Sequence, residues 1–482
     1  MAESDKQLES NESSNDSSIE NAPETNPQSQ GDFKEGGYGW VVIFSIWLLN
    51  AHTWGLNSTF AVFLAYYLRT GTFGTSQLGY AFVGGLSISI ALLVSPLATT
   101  LVGWKRCGTR LTIFIGIVLQ TIAFIGSSFA TELWHLLLSQ GVAFGFGMGL
   151  IFVASASVPP QWFVKRRSFA NAIAVSGSGF GGLCYSLATN AMIAHVGLPW
   201  AFRILAIICF VVNSVAVMLI RDRNEAIGSI HVAFNWGLFR RPPFLLFQAW
   251  MVLSLIAYII LVFSIVDYCQ FVGLSASQAS LVGALFNLSQ GLGRPMIGLS
   301  SDSVGRLNIA NLCTLFCGLL CMFVWTFGTK SLAACIVFAL LSGCVAGVIW
   351  ATVAPICAEV VGLALIPSAL SMTWLVLVLP ATFAEVIAVS LRGPGPRGYL
   401  HVQLLTASLY LGAFVFGWAL RAWKVWELEQ VRLSKEQREL AIRDDGVLAS
   451  ALEQEPRIDA PQSTAAQRRF SMLKGLWVIE RV

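Results

Sequence analysis

Residues 243–268 read PFLLFQAWMVLSLIAYIILVFSIVDY, with one charged side chain, Asp267, close to the end. At a rise of about 1.5 Å per residue, ~20 apolar residues cover the ~30 Å hydrocarbon core of a bilayer. An unbroken run of this length predicts a membrane-spanning helix, because a barrel strand would alternate over segments of about ten residues. The same pattern recurs outward in both directions. Between Tyr38 and Ala422 the chain is apolar nearly throughout, interrupted by short Gly, Pro, Arg and Lys clusters. At roughly 30 residues per span and connection, this stretch holds about twelve helices. The breaks place them at 38–67, 76–102, 110–130, 132–158, 168–193, 198–220, 243–268, 276–300, 307–328, 331–358, 366–391 and 399–422.

Composition agrees. Of 482 residues, 55% are hydrophobic and 12% charged, against about 25% charged in a soluble domain. That argues against a soluble enzyme, a disordered chain and a nucleic-acid binder, and the net charge of +4 offers no electrostatic case for nucleic acid. Ten cysteines show no paired spacing in polar loops and do not read as a disulfide framework. Cys313, Cys317 and Cys321 recur every four residues, which reads as small-residue packing rather than a metal site. No metal or cofactor is expected, and no GxxxxGK[ST] loop is present to bind ATP.

Orientation follows from the basic residues. Even-numbered spans end beside Lys105, Arg106, Arg110, Lys165, Arg166, Arg167, Arg221, Arg223, Arg240, Arg241, Arg306, Arg421 and Lys424; the opposite loops hold only Arg69, Lys330, Arg392 and Arg397. Thirteen against four places both termini in the cytosol. The expected organisation is therefore a disordered cytosolic tail (1–37), a six-helix half (38–220), a cytosolic linker (221–242), a second six-helix half (243–422) and a cytosolic tail (423–482). In that last tail, Ser471 follows Arg468 and Arg469 in the manner of a basophilic kinase site. A weak repeat supports the division: Ser95-Pro96 followed by Gly108 and Arg110 is matched by Arg294-Pro295 followed by Gly305 and Arg306.

Charged groups inside the bilayer are costly, roughly 2.5–3.5 kcal/mol on insertion scales, and so face a cavity or a partner. Asn287, Gln290 and Arg294 stand at i, i+3 and i+7, on one helical face, and read as pore lining. An Arg fork suits a carboxylate. On the first span Asn50, Thr53, Trp54 and Asn57 share a face, with Ser58 beside it; His52 points elsewhere. Glu385 is the better proton-carrier candidate, with pairing to Arg392 as the alternative. Glu359 is a second proton candidate or an inner-gate residue, and Asp267 a gate or loop residue.

The stretch Arg294-Pro-Met-Ile-Gly298-Leu-Ser-Ser-Asp302-Ser-Val-Gly305-Arg306 resembles the loop motif of the major facilitator superfamily, which implies that Asp302 and Arg306 lock a cytosolic gate. Glu35-Gly-Gly-Tyr38-Gly-Trp40 resembles the signature of the monocarboxylate-porter family. So does Trp162-Phe-Val-Lys165-Arg166-Arg167-Ser168-Phe-Ala170, which adds Arg166 to the expected gate. Asn57-Ser58 through Tyr67, and Ala358-Glu359-Val-Val-Gly362 with Pro367 through Trp374, are similar to the fungal branch of monocarboxylate-permease-like porters. Lactate carriers of that family have Lys where this chain has Ser58, and Asp where it has Gln290. The resemblance implies an all-α membrane protein of twelve transmembrane helices in two pseudo-symmetric halves. It further implies secondary transport of a small organic solute, a monocarboxylate or related anionic metabolite, by alternating access and with proton symport, at the plasma membrane. Arg294, Gln290, Asn287, Asn57, Ser58 and Trp374 are the expected substrate contacts. A proton-linked efflux pump for a secondary metabolite and a transport-fold nutrient sensor are the alternatives. The expected partners are the solute, protons and the lipid bilayer.

Overall fold

The computed structural model describes residues 36–71, 77–393, 395 and 397–445; Ser471 and most of both tails lie outside them. Helix α1 spans Tyr38–Leu64, with its last segment running on to Thr70. α2 comprises Gln77–Leu93 and Ser95–Gly103, α3 Gly108–Ser127 and α4 Leu133–Gln161. The helix that follows, Arg167–Leu219, has 53 residues, about 80 Å of rise and far more than a bilayer needs. Gly197 breaks it with φ 80° and ψ 164°, a conformation open to a residue without Cβ, and Pro199 follows. The two arms, 167–196 and 198–219, are α5 and α6. The second half is α7 Pro242–Phe271, α8 Ala276–Val304, α9 Arg306–Gly328, α10 Leu332–Val361, α11 Ile366–Leu391 and α12 Leu400–Asp445.

Ten of the described helices are long and apolar enough to cross a membrane, the bent α5–α6 helix counting once. α8 has the length, at 29 residues, but its stripe of Asn287, Gln290, Arg294 and Asp302 lowers its hydropathy. The twelve rods are consistent with the expected spans. Around them, Met218, Leu379 and Leu187 are 72%, 67% and 65% exposed, as suits a surface solvated by lipid. One boundary differs: α12 does not stop at 422 but continues to Asp445. The stretch after Ala422 contains no Gly or Pro up to Asp445, is rich in Glu, Lys, Arg, Gln and Leu, and holds a Lys424–Glu427 pair at 2.6 Å; such residues propagate a helix into water.

The halves α1–α6 and α7–α12 meet where α5 lies against α8 and α10, and α2 against α11. The α5–α8 approach is close enough to be set by glycine. A Cβ at Gly298 would lie 2.5 Å from Ala172 Cβ and 2.7 Å from the Ser168 carbonyl oxygen. The face where the even-numbered helices up to α10 end carries the basic loops and is called here the basic face.

Candidate substrate site and gate

The polar stripe of α8 ends up buried midway between the halves. Arg294 is 4% exposed and Gln290 3%. Arg294 Nη2 donates to Gln290 Oε1 at 2.8 Å, and Tyr258 of α7 donates to the same oxygen at 2.8 Å. Gln290 Nε2 in turn donates to Asn287 Oδ1 at 3.4 Å. Arg294 Nη1 crosses to the other half, donating to the Val175 carbonyl at 2.8 Å and to Ser178 Oγ on α5. Arg294 Nε has no hydrogen-bond partner, and no carboxylate among the described residues pairs with this guanidinium. The expected trio is thus brought together. Tyr258 and Ser178 complete it. Both escaped sequence reading, because a Tyr in an apolar run looks like core and a Ser in a Gly-rich helix looks like packing.

Beside this cluster is an aromatic layer drawn from both halves. The Trp54 and Trp350 rings lie 5.4 Å apart, Trp350 and Trp374 5.9 Å, and Phe152 and Trp374 5.1 Å. Tyr258 meets Trp350 edge-on at 6.2 Å. Trp374, an expected substrate contact, is fully enclosed here, and its Nε1 has no partner. A cavity of about 20 Å³ is lined by Asn50, Ser155, Asn171, Trp350 and Trp374 among others. It is large enough for a water and far too small for an organic solute.

The first-helix stripe does not survive as expected. Ala51–Gly55 forms a π turn, whose extra residue rotates everything after it relative to the 3.6-residue repeat. Trp54 faces the aromatic layer, whereas Asn57 turns into its own half and accepts from Ser87 at 2.8 Å. Ser58 is exposed and donates to the Trp54 carbonyl at 3.1 Å. Within that turn the His52 carbonyl accepts from Gln120 Nε2 on α3 at 2.6 Å.

The basic face is bolted shut. Asp302 accepts the backbone N–H groups of Ser168 at 3.0 Å and Phe169 at 2.8 Å. These are donors that the first turn of α5 leaves unpaired, at the positive end of its dipole. Arg306 donates to Glu359 at 2.7 Å and to the Val164 carbonyl at 3.0 Å, with Nε 3.5 Å from Asp302. Asn171 Nδ2 donates to the Ala351 carbonyl at 2.7 Å. Asp302 and Arg306 therefore sit where the gate was expected. Glu359 is drawn to the same end by its pair with Arg306, remote from the Arg294 cluster along α10. Arg166 does not join: its side chain is exposed, and the α4–α5 loop bonds across through main-chain atoms instead. At mid-depth Ser89 of α2 meets Thr382 of α11 at 2.6 Å. Glu385 lies about one turn beyond Thr382, half-buried, without a hydrogen bond or ion pair among the described residues. It does not pair with Arg392, which holds Asp267 at 2.6 Å.

Comparison with known proteins agrees with this architecture. The profile of the Major Facilitator Superfamily matches residues 42–385. The chain is 32% identical to "Probable transporter MCH2" of Saccharomyces cerevisiae, over 80% of this chain and 83% of that protein. It is 33% identical to "Uncharacterized transporter ESBP6" of the same yeast, over 81% of this chain and 60% of that protein. Among solved structures, the proton:xylose symporter XylE, bound to 6-bromo-6-deoxy-D-glucose, superimposes with a TM-score of 0.61 at 13% identity, covering 79% of this chain and 95% of that one. Two helical halves bolted across one face, a buried polar cluster between them and a profile match over most of the helical region lead to one conclusion: this chain belongs to the Major Facilitator Superfamily and is a transporter of that type, not an enzyme.

Proposed function

We propose that the chain carries a small organic anion, a monocarboxylate or related polar metabolite, across a membrane by alternating access. The observation that carries this reading is Arg294. A guanidinium removed from water without a counter-charge costs several kcal/mol, and here its acceptors are all neutral. A carboxylate arriving between the halves supplies the missing charge, and the fork shape of the group suits its two oxygens. The absent counter-ion at Gln290 makes the substrate itself the partner. Tyr258, Asn287 and Gln290 contribute neutral donors and acceptors, and the partly exposed Trp54 and Trp350 supply apolar walls. Ser58 and Trp374 become contacts once the halves separate.

Asp302, Arg306 and Glu359 close the gate toward the side that the charge bias marks as cytosolic, with both tails on that side and the plasma membrane as the site of action. Glu385, unpaired in α11, is the proton carrier. Ligand-induced thermal stabilisation of the purified protein tests the anion reading. A panel of short and aromatic carboxylates, each beside its neutral amide, should stabilise through the acid and not through the amide. Equal stabilisation by both members of each pair would overturn it.

A further inference from the structure

We infer that the segment joining the halves, residues 221–241, is a latch that holds the basic face closed, with Ser368 as its catch; this rests on the alternating-access reading. The segment leaves α6 fastened to the first half. Trp162 Nε1 donates to the Arg221 carbonyl at 2.8 Å, and Gln161 both accepts from the Arg223 N–H and donates to Asn224 Oδ1, each at 2.8 Å. The Arg223 guanidinium lies 3.8 Å over the Trp162 ring. Then, long before it reaches α7, the chain crosses to the second half and is fastened again. Ile230 N–H donates to the Ala364 carbonyl at 2.8 Å, and Ser368 Oγ donates to the Ile230 carbonyl at 2.7 Å while accepting the Val232 N–H at 2.9 Å. Ser371 Oγ donates to the Ala233 carbonyl at 3.2 Å. Ser368 is fully buried.

The consequence is a matter of reach. Between its two anchors, Asn224 and Ile230, the tether has six residue steps. A fully extended chain covers about 3.3–3.6 Å per residue, so these steps span at most ~20 Å, and less while Asn224–Ile227 stays helical. If the Ile230–Ala233 anchor lets go, the tether runs to Pro242 and its limit triples to ~60 Å. The latched segment thus caps how far α11 can move from the α4–α6 end of the first half, and wide opening of the basic face requires its release. A merely passive linker has no need of four bonds to α11 and the loop before it.

Hydrogen–deuterium exchange of the full chain in lipid nanodiscs tests this, comparing the parent, Ser368→Ala, Ser368→Thr and Asp302→Asn. Ser368→Ala removes two bonds. It should speed exchange of peptide 229–235 and also of peptide 166–172, whose Ser168 and Phe169 amides report closure, by about 10- to 30-fold. Ser368→Thr keeps the hydroxyl and should behave as the parent. Cutting the folded protein at a protease site inserted at Gly228 should likewise deprotect 166–172, which covers a failure of Ser368→Ala to fold. Faster exchange at 229–235 with 166–172 still protected, while Asp302→Asn deprotects 166–172, would overturn the latch alone. Continued protection of 166–172 in every variant would overturn alternating access as well.

Discussion

Replacing Asp302 by Asn is the sharpest perturbation of the closed state. The carboxylate accepts two main-chain N–H groups of α5, at 3.0 and 2.8 Å, across the boundary between the halves, and sits 3.5 Å from Arg306 Nε. Its side chain is only 9% exposed, so solvent screening is weak. The amide keeps one acceptor oxygen and turns an NH₂ toward the other donor. One charge-assisted bond is lost, worth about 1.5–3 kcal/mol, together with the favourable interaction of a negative charge with a helix N-terminus, about 0.3–1 kcal/mol. The closed state should lose about 2–4 kcal/mol, a shift of roughly 30- to 700-fold in the ratio of closed to open molecules. Genetically encoded spin labels at Lys105 and Ser303, one on each half and both exposed on the basic face, read this ratio as a distance distribution. The variant should transfer a large fraction of molecules to a longer distance. An unchanged distribution would refute the assignment of Asp302 as a bolt between the halves.

Three further outcomes follow. Arg294→Lys should lower substrate affinity by one to two decades, because a point charge replaces a fork and about 1.5–3 kcal/mol is lost; parent-like affinity in the folded variant removes Arg294 from the site. Gly298→Val places carbon where Ala172 Cβ and the Ser168 carbonyl already stand, so the Lys105–Ser303 distance should stay long and transport should fail; a parent-like short distance contradicts the packing argument. His231 lies against Gly103 with Nε2 unpartnered, and burial lowers its pKa from 6.5 against opposing pulls from the Ser229 carbonyl and Asp222. A depressed histidine penalises the latched state only once it protonates, so closure should be strongest above pH 6.5 and weaken as pH falls below it. His231→Gln should flatten that dependence between pH 7.5 and 5.5, and an unaltered slope would exclude His231 as its source.

The fold was legible because a bilayer demands long apolar runs, and each interruption by Gly, Pro or Arg lies near an observed helix end. Gly197-Leu-Pro199 divided α5 from α6 in the sequence just as it breaks the helix in space. The stripe Asn287–Gln290–Arg294 was legible for the same reason: polar groups at helical spacing inside an apolar helix have few places to go. Asn57 was misread because its assignment assumed an unbroken 3.6-residue repeat, and nothing in Ala51–Gly55 announces a π turn. Arg166 was expected at the gate from its place in the Trp162–Ala170 motif; its side chain is exposed here, and the bonds across the halves instead join Asp302 to main-chain N–H groups and Arg306 to a carbonyl, which no residue identity encodes. The latch was invisible for a similar reason. Its bonds join Ile230, Val232 and Ala233 to residues some 130 positions away, through main-chain atoms and two serines.

Coupled movement of an organic anion through this fold is decided by flux in sealed liposomes containing the purified chain, with a labelled carboxylate that stabilises the protein. Uptake should be saturable without ATP, accelerated by an imposed inward proton gradient and abolished by Arg294→Ala. Binding of that carboxylate with no flux above protein-free liposomes, under either direction of gradient, would contradict it and leave a receptor built on a transporter fold.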